Sequence, residues 1–134
     1  MKIMIDTNVL LDVLFARKPF LADSIGVLHM CEDGFAEGAV TVRSLTEIYY
    51  FLRKQLRDED KARETIRKIA GLLDVCDVTQ EGMKSALAMD NRDLEDALLA
   101  SCAKRTGCRL VITRNPKHFN GTGMKCRTPE EFVL

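Results

Sequence analysis

Four carboxylates stand at positions from which a parallel α/β sheet could bring them to one edge. Asp6 ends the apolar run Lys2-Ile3-Met4-Ile5 and precedes Thr7-Asn8 and Val9-Leu10-Leu11, so a carboxylate sits where a buried strand hands over to a helix. The carboxyl edge of an open α/β sheet is where such folds bind ligands. Glu47 in Ser44-Leu45-Thr46-Glu47-Ile48 and Asp96 in Asp93-Leu94-Glu95-Asp96-Ala97 occupy comparable helix starts, and Asp93 shares a helix face with Asp96 at i,i+3. Ionised carboxylates gathered within a few Å raise one another's pKa unless a cation or protons intervene. Hard oxygen donors of this kind suit Mg²⁺ or Mn²⁺, which typically take one or two carboxylates, waters and substrate phosphate oxygens. Each acid also has a purely structural use. Ser44 to Glu47 forms a formal capping box, Asp93 is a possible N-cap with Asp96 in the first turn, and Asp6 is a possible strand-end turn residue.

The elements that must position these acids are legible from punctuation and periodicity. Strand-like runs at Lys2 to Asp6, Ala39 to Val42, Asp74 to Val78, Arg109 to Thr113 and, more weakly, Met124 to Arg127 alternate with helical patterns. Such alternation predicts crossover units, hence a central parallel sheet of four or five strands with helices on both faces. Leu45, Ile48, Tyr49, Leu52 and Leu56 follow the i, i+3, i+4, i+7 rule, as do Leu94, Ala97, Leu98, Ser101 and Cys102. Leu21 to Cys31 and Ala62 to Leu72 complete the helical set. Thr79 is placed to cap a helix through Met83 and Leu87, and Thr128-Pro129-Glu130-Glu131 combines a cap, a first-turn proline and a capping-box acid.

Composition narrows the functional classes. A chain of 134 residues with no long Pro/Gly/Ser stretch is expected to form one domain, residues 1–134. Five scattered cysteines without a Cys-x-x-Cys pair argue against a disulfide framework and a zinc knuckle, and suit reduced thiols in a cytoplasmic protein. The first residues meet Asp6 too early to form a signal-peptide apolar region, and no run of about eighteen apolar residues is present to span a membrane. Twenty basic and twenty acidic residues balance, so no net positive charge marks a nucleic-acid binder. The basic-leaning stretch from Arg53 to Lys68 reads equally as a solvated helix face with i,i+4 pairs. His29 and His118 are the only histidines, too few and too separated for a histidine-paired acid/base nuclease, although His118 could lie near the pocket.

Four blocks together resemble the PIN domain family in their expected order: Met4-Ile5-Asp6-Thr7-Asn8-Val9-Leu10-Leu11-Asp12, Leu45-Thr46-Glu47-Ile48-Tyr49-Tyr50, Asp93-Leu94-Glu95-Asp96-Ala97 and Val111-Ile112-Thr113-Arg114-Asn115-Pro116-Lys117-His118-Phe119. They are most similar to the bacterial PIN proteins of toxin–antitoxin pairs, the VapC-like ribonucleases. The resemblance implies a three-layer α/β/α fold and a Mg²⁺- or Mn²⁺-dependent endoribonuclease. It implies that Asp6 and Asp96 bind metal directly or through water, that Glu47 is a ligand or orients a water, and that Asp93 is an auxiliary acid. Asn8 matches the polar residue that supports the first acid. In the fourth block many members carry an aspartate where this chain has Asn115, which bears on a second metal ion more than on the first. Asn115 could instead hydrogen-bond a metal-bound water, and Thr113 or Arg114 could contact the scissile phosphate. Asn115-Pro116 also reads as an N-cap followed by a first-turn proline.

Phosphate contacts are expected from Arg43, Arg53, Arg114 or Lys117, while Tyr49, Tyr50 and Phe51 read as core or dimer-interface residues. The partners implied are an RNA substrate, an antitoxin protein that covers the pocket, and a second copy of the chain. A haloacid-dehalogenase-like phosphatase is disfavoured because Asp6-Thr7-Asn8 lacks its second aspartate, and a DNA flap nuclease because the chain has no room for an arch. The alternative of another class is a PIN-like module that binds RNA or protein without hydrolysis, with Asn115 as its mark.

Overall fold

In the computed structural model, which describes residues 1–134, five parallel strands form one sheet of order β3-β2-β1-β4-β5. These are β1 (Lys2–Ile5), β2 (Glu37–Thr41), β3 (Asp74–Cys76), β4 (Leu110–Ile112) and β5 (Cys126–Arg127). Seven α-helices join them: α1 (Thr7–Leu14), α2 (Leu21–Glu32), α3 (Val42–Leu56), α4 (Glu59–Leu72), α5 (Gln80–Leu87), α6 (Leu94–Arg105) and α7 (Pro129–Val133), with a 3-10 turn at Pro116–Phe119. The three-layer α/β/α architecture expected from the resemblance is what the chain adopts.

Strand alternation builds the two outer layers. Ile3 and Ile5 of β1, with Leu110 and Ile112 of β4, enter the core that also holds Val9, Leu10, Val27, Ile48 and Leu52. Met4 and Val111 point the other way, into a second core with Leu99, Ala100, Cys102, Ala103 and Phe119. Successive strand side chains face opposite sides, so one apolar run serves both layers. Gly38 lies where β2 meets α2 and the end of α4, and an added Cβ there would stand 2.5 Å from Leu73 Cδ2 and 2.7 Å from Cys31 Sγ.

Several boundaries move, and one move matters for the site. Helix α3 begins at Val42, the residue expected to end β2, and its N-cap is Thr41, whose hydroxyl accepts from Ser44 N. Ser44 to Glu47 is therefore not a capping box. A threonine three residues earlier already satisfies the backbone donor, so the Glu47 carboxylate is released from backbone duty. Helix α4 starts at Glu59 under an Asp58 cap, earlier than the periodicity from Ala62 suggests. Strands β3 and β4 are shorter than their apolar runs. The Thr79 cap and the Thr128–Glu131 capping box form as read.

Candidate active site

The strand order reverses at β1, since the chain places β2 and β3 on one side of it and returns to place β4 and β5 on the other. A crevice opens at such a switch point, beyond the carboxyl ends of the strands. Asp6 stands there, as the N-cap of α1 with its Oδ1 accepting from Thr7 N at 2.8 Å. Its Oδ2 accepts from Thr113 Oγ1 at 2.8 Å, which ties the end of β1 to the end of β4. Each oxygen of the Asp6 carboxylate thus accepts a hydrogen bond, one serving the helix cap and the other holding the side chain to β4.

Three further ties bring the remaining acids to Asp6. Thr7 Oγ1 donates to Ser44 Oγ at 2.8 Å, joining the starts of α1 and α3 and so placing Glu47 one turn further along. Arg43 bridges α3 to α6, with Nη1 on Glu47 Oε2 at 3.0 Å and Nη2 on Glu95 Oε1 at 2.7 Å. Asp93 caps α6 by accepting from Asp96 N at 3.1 Å. The loop before it is pinned by Asn91, whose amide donates to the carbonyls of His118 and Asn120 at 2.8 and 2.7 Å. Gly121 permits that approach: its φ is +81°, and an added Cβ would lie 1.9 Å from the Asp90 carbonyl oxygen.

The result is a cleft of about 290 Å³ lined by Asp6, Glu47, Asp93, Glu95 and Asp96, with Asn8, Asn115, Arg17 and His118 beside them. Of the residues singled out by sequence, Asp6, Glu47, Asp93, Asp96, Asn8 and Asn115 meet there. Two others do not. Thr113 is fully buried behind Asp6 and has no route to a phosphate; it positions the carboxylate instead. Arg114 turns away, with Nε 2.6 Å from Asp12 Oδ2 and its guanidinium 4.3 Å over the Phe20 ring, and it lines a separate cleft with Phe20, Asp23 and Thr128. Asn115 precedes Pro116 without a side-chain capping bond, so the capping reading of its amide is not realised. Phe51, read as core or interface, is 37% exposed and lines the cleft.

Arg17, Glu95 and the buried Asp12 were not singled out, although Glu95 and Asp12 lie inside the quoted blocks. For Glu95 the signal was adjacency to Asp96; for Arg17 no local pattern exists, because it follows the end of α1.

The electrostatics are those of crowded negative charge. Burial pushes the Asp6 carboxyl up against the lowering effect of its two hydrogen bonds, and the charges of Glu47 and Asp93 add to the rise. Asp96 is pushed from its ordinary 3.8 up to about 7, by burial first and then by Asp93 and Asp6. No three carboxylate, imidazole or thiolate groups stand close enough to ligate one ion directly. The donor set fits a hydrated hard cation held through one or two carboxylates, the usual habit of Mg²⁺. Asn8 Oδ1, a buried oxygen beside the acids with no hydrogen-bond partner, is a further acceptor for such a hydrate.

A pH-dependent stability follows. The unfolded chain releases the Asp96 proton near pH 3.8 and the folded chain near pH 7. The stabilising contribution is therefore complete below pH 3.8 and is lost as pH rises through 7. Without divalent ions, Asp96→Asn should raise Tm at pH 8 by about 3–6 °C, corresponding to about 1–2 kcal/mol after allowance for solvent screening, and leave it nearly unchanged at about pH 4. Thermal melts in chelator at the two pH values check this; equal shifts at both would contradict it.

Comparison with known proteins agrees with this architecture. Residues 2–117 match the sequence model described as PIN domain. The chain is 26% identical over 136 aligned positions to Ribonuclease VapC1 of Aquifex aeolicus (strain VF5), covering 98% of this chain and 92% of that protein. Its fold is similar to VapBC2 from Rickettsia felis bound to a DNA fragment from their promoter, with a TM-score of 0.71 at 16% identity over 96% of this chain and 98% of the other. It is also similar to a toxin-antitoxin complex from Klebsiella pneumoniae, with a TM-score of 0.68 at 22% identity over 94% and 96% of the two chains. The sequence match runs from β1 into the 3-10 turn and takes in every acid of the cleft, and the chain belongs to the PIN domain family.

Proposed function

We propose that the protein is a Mg²⁺- or Mn²⁺-dependent endoribonuclease and the toxin component of a bacterial toxin–antitoxin pair. The observation that carries this reading is the gathering of five carboxylates from three helix starts around one cleft at the switch point of the sheet. The naming of a relative as a ribonuclease, and of structural neighbours as toxin–antitoxin assemblies, supports the substrate class and the partner.

Asp6 and Asp96 would hold a hydrated cation, at least in part through its waters, Glu47 would orient one of those waters, and Asp93 adds charge at the rim. Bound there, a hard divalent cation supplies an acidified water and neutralises charge developing on the phosphate. Thr113 and the Thr7 amide keep the Asp6 carboxylate in one orientation, so its charge is presented to the cleft without rearrangement. Asn8 and Asn115 offer amide groups to the hydration shell. Arg43, ion-paired with Glu47 and Glu95, sets the spacing between α3 and α6.

An antitoxin protein is the partner expected to cover this cleft, and a second copy of the chain is proposed as a further one. Exposed Tyr50, Phe51 and Leu56 on α3 support contact with another chain. No helix is long and apolar enough to cross a membrane, and the cytoplasm is the proposed location.

The test is titration of Mn²⁺ and Mg²⁺ into the purified protein with a mixed pool of single-stranded RNA. Cleavage that rises with metal and stops in chelator is the expected result. Retention of RNA without cleavage would favour the non-hydrolytic binding module, in which Asn115 takes the place of an acid.

A further inference from the structure

Resting on the ribonuclease reading, we propose that Arg17 is the phosphate-binding residue of the cleft, gripping a phosphodiester of the RNA beside the carboxylates. It is the only arginine or lysine that lines the cleft. The candidates taken from sequence are otherwise engaged or placed elsewhere. Arg43 is held by Glu47 and Glu95 at 3.0 and 2.7 Å, Arg114 lies against Asp12 in another cleft, and Arg53 and Lys117 do not line this one.

The backbone is built to return Arg17 to the site. After α1 ends, Ala16 adopts a left-handed conformation with φ of 49°, and Arg17 N donates to the Asp12 carbonyl at 2.9 Å. The side chain is 42% exposed, and its guanidinium stands 5.6 Å from the centre of the Phe15 ring, which steadies it without using its N–H donors.

Its N–H donors are also uncommitted, although it pairs at a distance with Asp12. Buried Asp12 has Arg114 Nε at 2.6 Å from one oxygen, whereas Arg17 Nη1 lies 3.7 Å from the other, too far for a hydrogen bond. One buried carboxylate thus faces two guanidinium groups, Arg114 much the nearer, and Arg17 commits no hydrogen bond to it. Arg17 keeps its N–H fork available for an anion, and a guanidinium matches two phosphate oxygens at once. The surrounding acids repel RNA until a cation is bound, so a fixed positive group of the protein's own is what first holds the strand in register.

The experiment compares wild type, Arg17→Ala and Arg17→Lys for kcat/KM on a short single-stranded RNA in Mn²⁺, across about 50 to 300 mM KCl, with Tm measured alongside. Expected for Arg17→Ala are a loss of about 10- to 100-fold, mainly in KM, and a salt slope shallower by about 0.7, the value for one lost contact to a single strand. Arg17→Lys should recover part of the loss, and Tm should change little. An unchanged slope and kcat/KM overturns the proposal. So does a loss of activity that follows a fall in Tm with the slope intact, which would make Arg17 a second structural partner of Asp12. If wild type leaves RNA uncut, the nuclease reading fails separately, and Arg17 is judged by anisotropy of labelled RNA under the same conditions. Weaker, less salt-dependent binding by Arg17→Ala then supports the phosphate contact; equal binding, or none by wild type, overturns it.

Discussion

Asp6→Asn is expected to lower metal-dependent RNA cleavage by about 10²- to 10³-fold while leaving Tm within a few degrees of wild type. Removing one preorganised charge-stabilising group from an active site typically costs about 2.7–4 kcal/mol of transition-state stabilisation. The same substitution is mild for folding. An asparagine oxygen can still accept from Thr7 N, and the bond from Thr113 Oγ1 is the one at risk, a loss of about 1 kcal/mol. Against that loss, burial and the neighbouring charges of Glu47 and Asp93 already push the Asp6 carboxyl up, so a neutral amide relieves part of a standing penalty. Activity and stability should therefore part company. Initial cleavage rates and thermal melts on the same preparations check this, and a variant that retains more than a tenth of the wild-type rate would remove Asp6 from the proposed role.

The second large effect lies outside the cleft. Asp12 is 0% exposed, and Arg114 at 2.6 Å is its close counter-charge. Arg114→Met should destabilise the fold by about 3–5 kcal/mol, because it leaves a buried carboxylate uncompensated, with Arg17 at 3.7 Å only a distant substitute. For a domain of this size that corresponds to a fall in Tm of roughly 10–20 °C. The double variant Asp12→Leu/Arg114→Met should recover most of the loss, since replacing both members of a buried pair with apolar groups is often neutral or stabilising. Urea midpoints for the singles and the double complete the cycle. A single Arg114→Met variant within 1 kcal/mol of wild type would refute the account. Arg114 sits between Thr113, which orients Asp6, and Asn115, which lines the cleft. Its anchorage to α1 thereby holds the β4 end of the site in place.

The resemblance to the PIN family and the local code agree on the framework because both rest on short-range features. A strand followed by a capped helix is specified within a few residues, and Asp6, Asp93, Thr79 and Thr128 each act on donors one to three positions away. The alternation of such units dictates a parallel sheet, and a parallel sheet delivers every strand-to-helix junction to one edge. Convergence of the acids on one edge is therefore legible in the sequence. The double use of Asp6 and Asp93, as caps and as cleft residues, was readable only as two competing options. In the structure both residues cap a helix and line the cleft at once.

What the sequence by itself determined is the α/β/α framework and the edge on which Asp6, Glu47, Asp93 and Asp96 meet. Only the tertiary structure decided which cations face them. Arg114, adjacent to the site in sequence, is drawn away by buried Asp12, while Arg17, with no motif to mark it, is turned in by a left-handed residue after α1. Glu47 is released from backbone capping because Thr41, not Ser44, caps α3, and it pairs with Arg43 instead. The physical reason is the range of the interactions. Caps and periodicity act within a turn or two, whereas the direction of a long charged side chain such as Arg114 depends on a distant partner such as Asp12, which it meets only after the sheet has closed.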